Sequence, residues 1–341
     1  NMTVYNANHE VMQNGYDIDC GWSGGQTSII VPLPGSDSIY YLFTIGHYTE
    51  PYFEQLGFKY SIVDMSLDGG LGAVTDKNIE IYPSTHNDTL SEILTAVHHA
   101  NCRDVWVMIH RFNADKFLAY KLTENGLDAE PVVSHIGYHA PNCIGWGMKF
   151  SPNGKYAVVN KSYGWLSIET EADTLELYKF NKDTGILTER IALEMDSLLW
   201  GKEFSFQNEL LYTFESHQYN LKLFQYDISK WQKSYILDSK TLIGEYILPK
   251  PDLHLTPLNS IAISNEIFER IGIIENPNVQ GLGCSVDTTA LEVSTNLVRK
   301  IIDLSCCPHS LFLFKWRDRR SSNPHQNPII QILFELLQIL E

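Results

Sequence analysis

Residues 150–159 read FSPNGKYAVV, and this stretch predicts two β-strands joined by a tight hairpin. The Ser-Pro-Asn-Gly core is rich in turn residues, and the Asn153-Gly154 pair is expected to supply the positive φ angles that short hairpins need. A third apolar run, LELYKF at residues 175–180, ends at the polar turn Asp183-Thr184-Gly185. Strand, turn, strand and turn in this order predict an antiparallel meander.

The same order recurs along the chain at intervals of about 50 residues. Aromatic residues mark comparable places in successive units, and we take them to be Tyr60, Tyr120, Tyr178 and Phe224. A period of this length with about four strands per unit is typical of a β-propeller. We therefore predict an all-β propeller of four-stranded blades, incomplete here, with about four clear blades and partial ones at both ends. A β-sandwich is the alternative, but it explains the strands and not their recurring order.

The predicted domains are a propeller over residues 1–285, which starts within a blade, and an atypical tail over residues 286–341. The tail departs from the meander pattern because residues 299–320 carry six basic residues in an otherwise acidic chain, and residues 329–340 read IIQILFELLQIL. Either a frameshifted terminus or a short terminal helix accounts for this composition.

The overall charge bears on the choice of partners. Twenty-five Lys and Arg residues against forty-one Asp and Glu residues give a net charge of −16 at pH 7. Such a surface repels phosphate backbones and anionic lipid, so we expect no nucleic-acid partner. The sequence has no apolar run of about 18 residues, so we also expect no membrane span.

Candidate binding residues are few, and no catalytic motif is recognisable. We predict ligand contacts at His98, His99, Trp22 and Trp146, with inter-blade packing as the main alternative for the tryptophans. Adjacent histidines on a strand point to opposite faces, so His98 and His99 are not expected to share a metal.

Other patterns give no site, and we predict neither a metal nor a cofactor. The His135/His139 spacing lacks a helix, the Asp183 turn lacks further calcium ligands, and GWSGG at residues 21–25 only approximates a nucleophile elbow. The six cysteines form no Cys-x-x-Cys zinc pattern, so they are buried hydrophobes or one or two disulfides.

Several segments together resemble one family, namely the N-terminal propeller of large Bacteroidetes secreted proteins. Those proteins carry PKD-like modules and a gliding-motility-associated (type IX secretion) C-terminal domain. The resemblance rests on VYNANHEVMQNG (4–15), QTSIIVPLPG (26–35), SIVDMSLDGGLG (61–72), LTAVHHAN (94–101), KFSPNG (149–154) and GIIENPN (272–278). It implies a WD40- or YVTN-like propeller, seven-bladed in the family, with an extracellular or cell-surface location and no established catalytic residues. The chain departs from the family at residues 255–262, where a Gly-rich hairpin is usual.

From these observations we predict a non-catalytic binding or adhesion propeller of a secreted or cell-surface protein, with a glycan or a surface protein as its partner. Two alternatives stay open. One is a propeller enzyme of the lactonase or quinoprotein-dehydrogenase type with a site at the central axis, and the other is a purely structural spacer.

Overall fold

A computed structural model describes residues 2–21, 27–46, 57–83, 90–112, 114–137, 144–162, 173–195, 197–217, 220–247, 251–264 and 270–292. These residues form five antiparallel sheets, one short α-helix (α1, Lys233–Asp238) and two 3-10 turns. They divide into two compact units: residues 1–150 with 154–190, and residues 151–153 with those from 191 onward. Within the described ranges, no helix has the length and apolarity needed to cross a bilayer.

The first three sheets are meanders in which each strand pairs with the next one along the chain, except that β9 in the second sheet pairs with β7 and not with β8. The first sheet consists of β1 (Ser28–Pro32), β2 (Ile39–Ile45), β3 (Phe58–Asp64) and β4 (Ala73–Tyr82). The second consists of β5 (Leu90–His98), β6 (Val105–Arg111), β7 (Lys116–Thr123), β8 (Gly126–Leu127) and β9 (Val132–His135). The third consists of β10 (Ile144–Phe150), β11 (Tyr156–Ser162), β12 (Thr174–Asn181) and β13 (Ile186–Glu194). In the second sheet, β8 and β9 both pair with β7 and together stand in for a fourth strand.

The remaining two sheets, in the second unit, repeat the four-stranded meander. The fourth sheet consists of β14 (Leu198–Phe204), β15 (Leu210–His217), β16 (Asn220–Asp227) and β17 (Thr241–Tyr246). The fifth consists of β18 (Asp252–Leu255), β19 (Ile261–Ser264), β20 (Arg270–Glu275) and β21 (Ser285–Glu292). The predicted fold class, an all-β propeller of four-stranded blades, is confirmed. Residues 255–262, which depart from the family pattern, nevertheless form the β18–β19 hairpin.

The hairpin between the first and second strands of every sheet contains a residue in the left-handed region. These residues are Gly35, Cys102, Gly154, Asn208 and Asn259, with φ angles of 57° to 80°. Glycine and asparagine tolerate this conformation best, which explains four of the five choices. The expectation for the 150–159 hairpin was half right, because Gly154 has a positive φ and Asn153 does not.

A tyrosine lies on the third strand of each of the first four sheets, at different register positions. Tyr60 and Tyr120 lie opposite the fifth and third residues of the preceding strand. Tyr178 and Tyr226 both lie opposite the second residue of the preceding strand. By pairing with the second strand the counterpart of Tyr178 is Tyr226, whereas Phe224 is, like Tyr178, the fifth residue of its own strand. Phe224 is paired with Thr213, further along the same strand.

The cores lie between successive sheets within each unit. In the first unit, Trp106, Met108 and Phe117 of the second sheet pack with Phe150 and Tyr178 of the third. In the second unit, residues of β15 and β16 pack with residues of β18, β19 and β20. First strands also lie side by side, since β5 contacts both β1 and β10. This is the face-to-face packing of propeller blades.

Gly201 marks the closest approach of two first strands, β14 and β18. Its N–H donates to the Pro251 carbonyl at 3.0 Å. A Cβ at this position would lie 2.6 Å from the Asp252 Cα and 2.7 Å from the Leu253 nitrogen. Those neighbours are backbone atoms and cannot turn away as a flexible side chain could, so the strands would have to separate.

We predict that Gly201→Ala lowers the free energy of unfolding by about 3 kcal/mol, because the added methyl group overpacks against backbone. Urea denaturation of the full chain measures the loss. Gly281→Ala is the control, since nothing lies within 4 Å of its Cβ position and only its φ of +68° is unfavourable; about 1 kcal/mol is expected there. Equal losses in the two variants would contradict the close-approach argument.

Candidate functional site

Polar side chains are buried at one end of the blades in the first unit. This is the end at which first strands begin and second strands finish. Ser91 is the second residue of β5, His110 is the last but one of β6, and Lys161 is the last but one of β11. Glu176 lies near the start of β12 and is completely buried. Buried charges are uncommon unless they are paired, so this end of the unit is a candidate functional site.

Ser91 and His110 form a hydrogen-bonded pair, which we call the imidazole pair. The Ser91 Oγ lies 3.1 Å from His110 Nδ1 and also donates to the His110 carbonyl at 3.2 Å. The Nε2 atom of His110 is buried and makes no hydrogen bond within the described part of the chain. Burial, with the nearby Lys161 ammonium as a second cause, lowers the pKa of His110 to about 3, and the Ala114 backbone partly opposes this shift. The imidazole is therefore neutral at pH 7.

A second group, which we call the Glu176 cluster, contains Glu176, Lys161, Arg190 and Tyr178. Lys161 Nζ lies 3.1 Å from one carboxylate oxygen of Glu176, and Arg190 Nε donates to the other at 2.8 Å. The Tyr178 hydroxyl donates to the same carboxylate. Burial and then the neighbouring carboxylate raise the pKa of Tyr178 well above its ordinary value, so its hydroxyl stays protonated.

The imidazole pair and the Glu176 cluster are neighbours. Phe117 joins them, with its ring centroid 4.4 Å from that of His110 and 5.4 Å from that of Tyr178. Gly137 lies beside the cluster, where a Cβ would stand 3.0 Å from the Tyr178 hydroxyl and 3.3 Å from Lys161 Nζ. Its φ of +115° is a second reason for glycine at this position.

Two cations share the Glu176 carboxylate. Lys161 and Arg190 both contact it, while the imidazole beside them is neutral. Lys161 is 4% exposed and Glu176 is 0% exposed. Arg190 is 29% exposed and connects the cluster to solvent. Such a site stabilises an oxygen atom that carries, or acquires, negative charge.

The second unit has a comparable group, which we call the Glu215 cluster. Glu215 accepts hydrogen bonds from Ser197, Tyr226 and Lys240. Lys240 Nζ lies 2.8 Å from the carboxylate and 4.1 Å from the centroid of the Phe224 ring. In this cluster a single cation, Lys240, contacts the carboxylate.

The predicted binding residues are not brought together by the fold. His98 ends β5 and His99 follows it, at the opposite end of the blade from the imidazole pair. Burial, and then Lys182, lowers the pKa of His98. His99 packs against Trp106 with ring centroids 5.6 Å apart, and its Nδ1 accepts the Asn101 N–H.

Other candidate residues lie partly or wholly outside the described part of the chain. Trp22 and His139 are outside it, and Trp146 belongs to β10 although its side chain is not described. The Asp183-Thr184-Gly185 stretch is a turn in which Asn181 accepts both the Asp183 and Thr184 N–H groups. Among the described residues, no three His, Cys, Asp or Glu side chains are placed to hold a metal.

The described cysteines are free thiols, namely Cys20, Cys102 and Cys284. Cys20 and Cys284 are buried, as expected for small hydrophobic residues, and Cys102 is exposed. Of the predicted atypical tail, residues 286–292 belong to β21, and residues from 293 onward are not among the described residues.

Sequence reasoning did not single out the Glu176 cluster, although a signal was present. In LELYKF, Glu176 alternates onto the same face as Tyr178 and Phe180, and that face is buried. A charge on the core face of a strand is an exception that asks for a partner. The partner residues could not be read from the sequence, because Lys161 and Arg190 come from neighbouring strands of the sheet.

Comparisons with known proteins give fold-level likeness only. No protein-family model matches the chain, and no curated protein matches it by sequence. A candidate 6-phosphogluconolactonase from Bacteroides fragilis is 13% identical, with 81% of this chain and 83% of that one covered at a TM-score of 0.45. The periplasmic gluconolactonase of Pseudomonas aeruginosa is 12% identical, with 77% and 69% covered and a TM-score of 0.45. Virginiamycin B lyase from Staphylococcus aureus is 13% identical, with 80% and 73% covered at 0.42.

These comparisons correct one prediction from the sequence. The expectation of a non-catalytic binding or adhesion module is contradicted by the names of several similar solved structures, which are gluconolactonases and a lyase. At these TM-scores the likeness carries no argument about the reaction of this chain, which has to come from its own residues.

We predict that Glu176→Gln lowers the free energy of unfolding by about 3–5 kcal/mol, because it leaves two cations without their buried carboxylate. Denaturant unfolding of the full chain measures the loss. Glu189→Gln is the matched control, since Glu189 pairs with Lys179 at the surface and should contribute about 0–1 kcal/mol. Similar small losses in both variants would show that the cluster is not a tightly paired ionic group.

The neutral state of His110 predicts a pH dependence of stability. Its ordinary pKa is 6.5 and its folded pKa is about 3, so below pH 6.5 the unfolded chain binds a proton that the folded chain does not. Stability is therefore lost as pH falls from 6.5 towards 4, by up to about 1.4 kcal/mol per pH unit from this residue. Denaturant titrations at several pH values test this, and the slope should become shallower in His110→Gln. An unchanged slope in that variant would contradict the assignment.

Proposed function

We propose that this chain is a propeller enzyme of the lactonase type, which opens a ring ester by hydrolysis. The observation that carries the proposal is the pair of cations on Glu176, Lys161 and Arg190, beside the Nε2 atom of His110, which has no hydrogen-bond partner among the described residues. Ester hydrolysis needs a water molecule, a group that accepts its proton, and a positive group at the carbonyl oxygen. The imidazole pair and the Glu176 cluster supply the last two.

In the proposed reaction, water attacks the carbonyl carbon and gives a proton to His110 Nε2. The carbonyl oxygen becomes negative, and Lys161, already close to His110, stabilises it. The ring carbon–oxygen bond then breaks, and the departing alkoxide takes the proton back from the imidazolium. The products are a hydroxyl group and a carboxylic acid, and Arg190 faces the resulting carboxylate from the solvent side.

A pKa of about 3 makes His110 a weak base in the free enzyme, but a bound substrate changes that pKa. Without a ligand, burial and Lys161 disfavour the imidazolium, so the free enzyme has a weak base. A negative oxygen between Lys161 and His110 reverses the local field and raises the pKa of the imidazole as the reaction proceeds. The base therefore becomes stronger in the transition state than in the resting enzyme, which is the differential binding that catalysis requires.

The overall charge indicates the class of lactone. A net charge of −16 repels anions at a distance, although salt screens the effect beyond about 8 Å. A neutral sugar lactone approaches without this penalty, and its negative charge develops only once it has reached the cluster. We therefore propose an uncharged ring ester as the substrate rather than a phosphorylated one.

The proposal includes export of the protein from the cell. Residues that resemble the secreted Bacteroidetes propellers support it, and in that setting a surface protein or glycan would be found near the enzyme. The PKD-like modules and gliding-motility-associated domain of that family, the extracellular location and the division at residue 285 stay predictions. Detection of the native protein in the culture medium or on the cell surface tests the location.

We predict measurable hydrolysis of glucono-δ-lactone by the purified full chain, followed by proton release with a pH indicator after subtraction of the spontaneous rate. Lys161→Met should lower kcat by about 100-fold, because it removes a charge that stabilises the oxyanion. The 6-phospho ester of the same lactone should be hydrolysed with a lower kcat/KM, and this difference should shrink at high salt.

Lys240→Met is the matched control, because it breaks a buried cation–carboxylate pair in the Glu215 cluster and leaves the proposed site intact. It should keep the wild-type kcat. The proposal is wrong if the wild-type chain does not exceed the spontaneous rate, or if a folded Lys161→Met variant keeps full activity.

A further inference from the structure

The hydrogen atoms of the imidazole pair can be assigned by counting donors. The Ser91 hydroxyl has a single proton, and two acceptors lie within reach: His110 Nδ1 at 3.1 Å and the His110 carbonyl at 3.2 Å. If the hydroxyl donates to Nδ1, the contact with the carbonyl is lost. If it donates to the carbonyl, its own lone pair accepts a proton from Nδ1, and both contacts are hydrogen bonds. Only in the second arrangement is each of the two short contacts a hydrogen bond.

We propose that Ser91 is a positioning residue that holds His110 in the tautomer with its proton on Nδ1. The Nε2 atom then presents a lone pair, buried and without a hydrogen-bond partner among the described residues. It is an acceptor prepared for a neutral donor, such as a water molecule or a hydroxyl group of a ligand. The ring cannot easily turn away, because the Phe117 ring packs against it at 4.4 Å.

The competing arrangement has the proton on Nε2. A backbone interaction with Ala114 opposes the fall in the pKa of His110, but no hydrogen bond of normal geometry is made by Nε2 within the described ranges. The two Ser91 contacts therefore favour the Nδ1 tautomer, and loss of the Ser91 hydroxyl would remove that preference.

The consequence for catalysis rests on the proposed function. A base must hold a lone pair towards the attacking water, and in the Nδ1 tautomer that lone pair is on Nε2, on the side away from Ser91. In the other tautomer Nε2 carries a proton, cannot accept another and would only donate. Ser91 would thus decide whether His110 acts as a base without touching the substrate itself.

The tautomer can be observed directly in the full chain with 15N-labelled histidine. Long-range proton–nitrogen correlations of the ring show which nitrogen carries the proton. The His110 signals are identified by their loss in His110→Asn and, independently, by through-space contacts to the Phe117 ring protons. We expect the Nδ1-protonated pattern at pH 7. The Nε2-protonated pattern in the wild-type chain overturns the inference, and no variant is needed for this result.

Variants then test the role of Ser91. Ser91→Ala should convert most of the His110 population to the Nε2-protonated form and lower kcat for glucono-δ-lactone by at least about tenfold. Ser91→Thr retains a hydroxyl and should restore both the tautomer and the rate. Thr95→Val is the matched control, since Thr95 is a buried hydroxyl on the same strand whose Oγ1 has no hydrogen-bond partner within the described ranges. Its removal should leave the His110 tautomer and kcat unchanged.

The two proposals fail in different ways. If the wild-type chain shows the Nδ1 tautomer but no lactone hydrolysis, the proposed function is wrong and the tautomer assignment stands. If it hydrolyses the lactone and shows the Nε2 tautomer, the lactonase proposal stands and the role of Ser91 is wrong. If Ser91→Ala keeps the Nδ1 tautomer, the hydroxyl does not set it and the inference fails.

Discussion

Each blade of this protein is a sheet with two faces, and the need to cover both faces constrains nearly everything else. Within the first unit, the second and third sheets bury Trp106, Phe117, Phe150 and Tyr178 between them. Sheets that pack this closely leave little room for variation at the contact, which is why Gly185 stands beneath the Trp106 ring, 2.9 Å from where a Cβ would be. The strand ends are less constrained, because the apolar contacts thin out there. The imidazole pair lies at such ends, with Ser91 near the start of β5 and His110 near the end of β6.

The fold could be predicted from the sequence because it depends on local patterns that repeat. Apolar alternation marks the strands, and turn residues such as Gly154 and Asn208 mark the hairpins. Repetition at intervals of about 50 residues then distinguishes a propeller from other all-β folds. The alignment of one blade on the next is harder to predict, since Phe224 and Tyr226 are both aromatic and lie on the same face of one strand. Position within the strand matches Tyr178 with Phe224, and pairing with the second strand matches it with Tyr226.

The candidate site could not be predicted in this way, because its members come from different strands and share no motif. Ser91 and His110 are nineteen positions apart and meet across the β5–β6 pair. Lys161 and Glu176 belong to adjacent strands, and Arg190 approaches from a third. The residues that we did choose, His98 and His99, are conspicuous as a pair in sequence but lie at the other end of the blade. Conspicuous residue types were a poorer guide than a charge on the buried face of a strand.

The two buried carboxylates show why one cluster is a candidate for chemistry and the other is not. Both Glu176 and Glu215 accept a hydrogen bond from the recurring tyrosine of their blade, Tyr178 or Tyr226. Glu215 has one lysine partner, so its charge is matched and the cluster can serve the fold alone. Glu176 is shared by a lysine and an arginine, and it lies beside the His110 Nε2 atom, which has no hydrogen-bond partner among the described residues. Holding cations in a largely buried cluster costs solvation free energy. A transient negative charge on a bound molecule would offset part of that cost, so under the proposed function the second cation and the neighbouring imidazole, rather than the buried carboxylate, are the groups that act on the substrate.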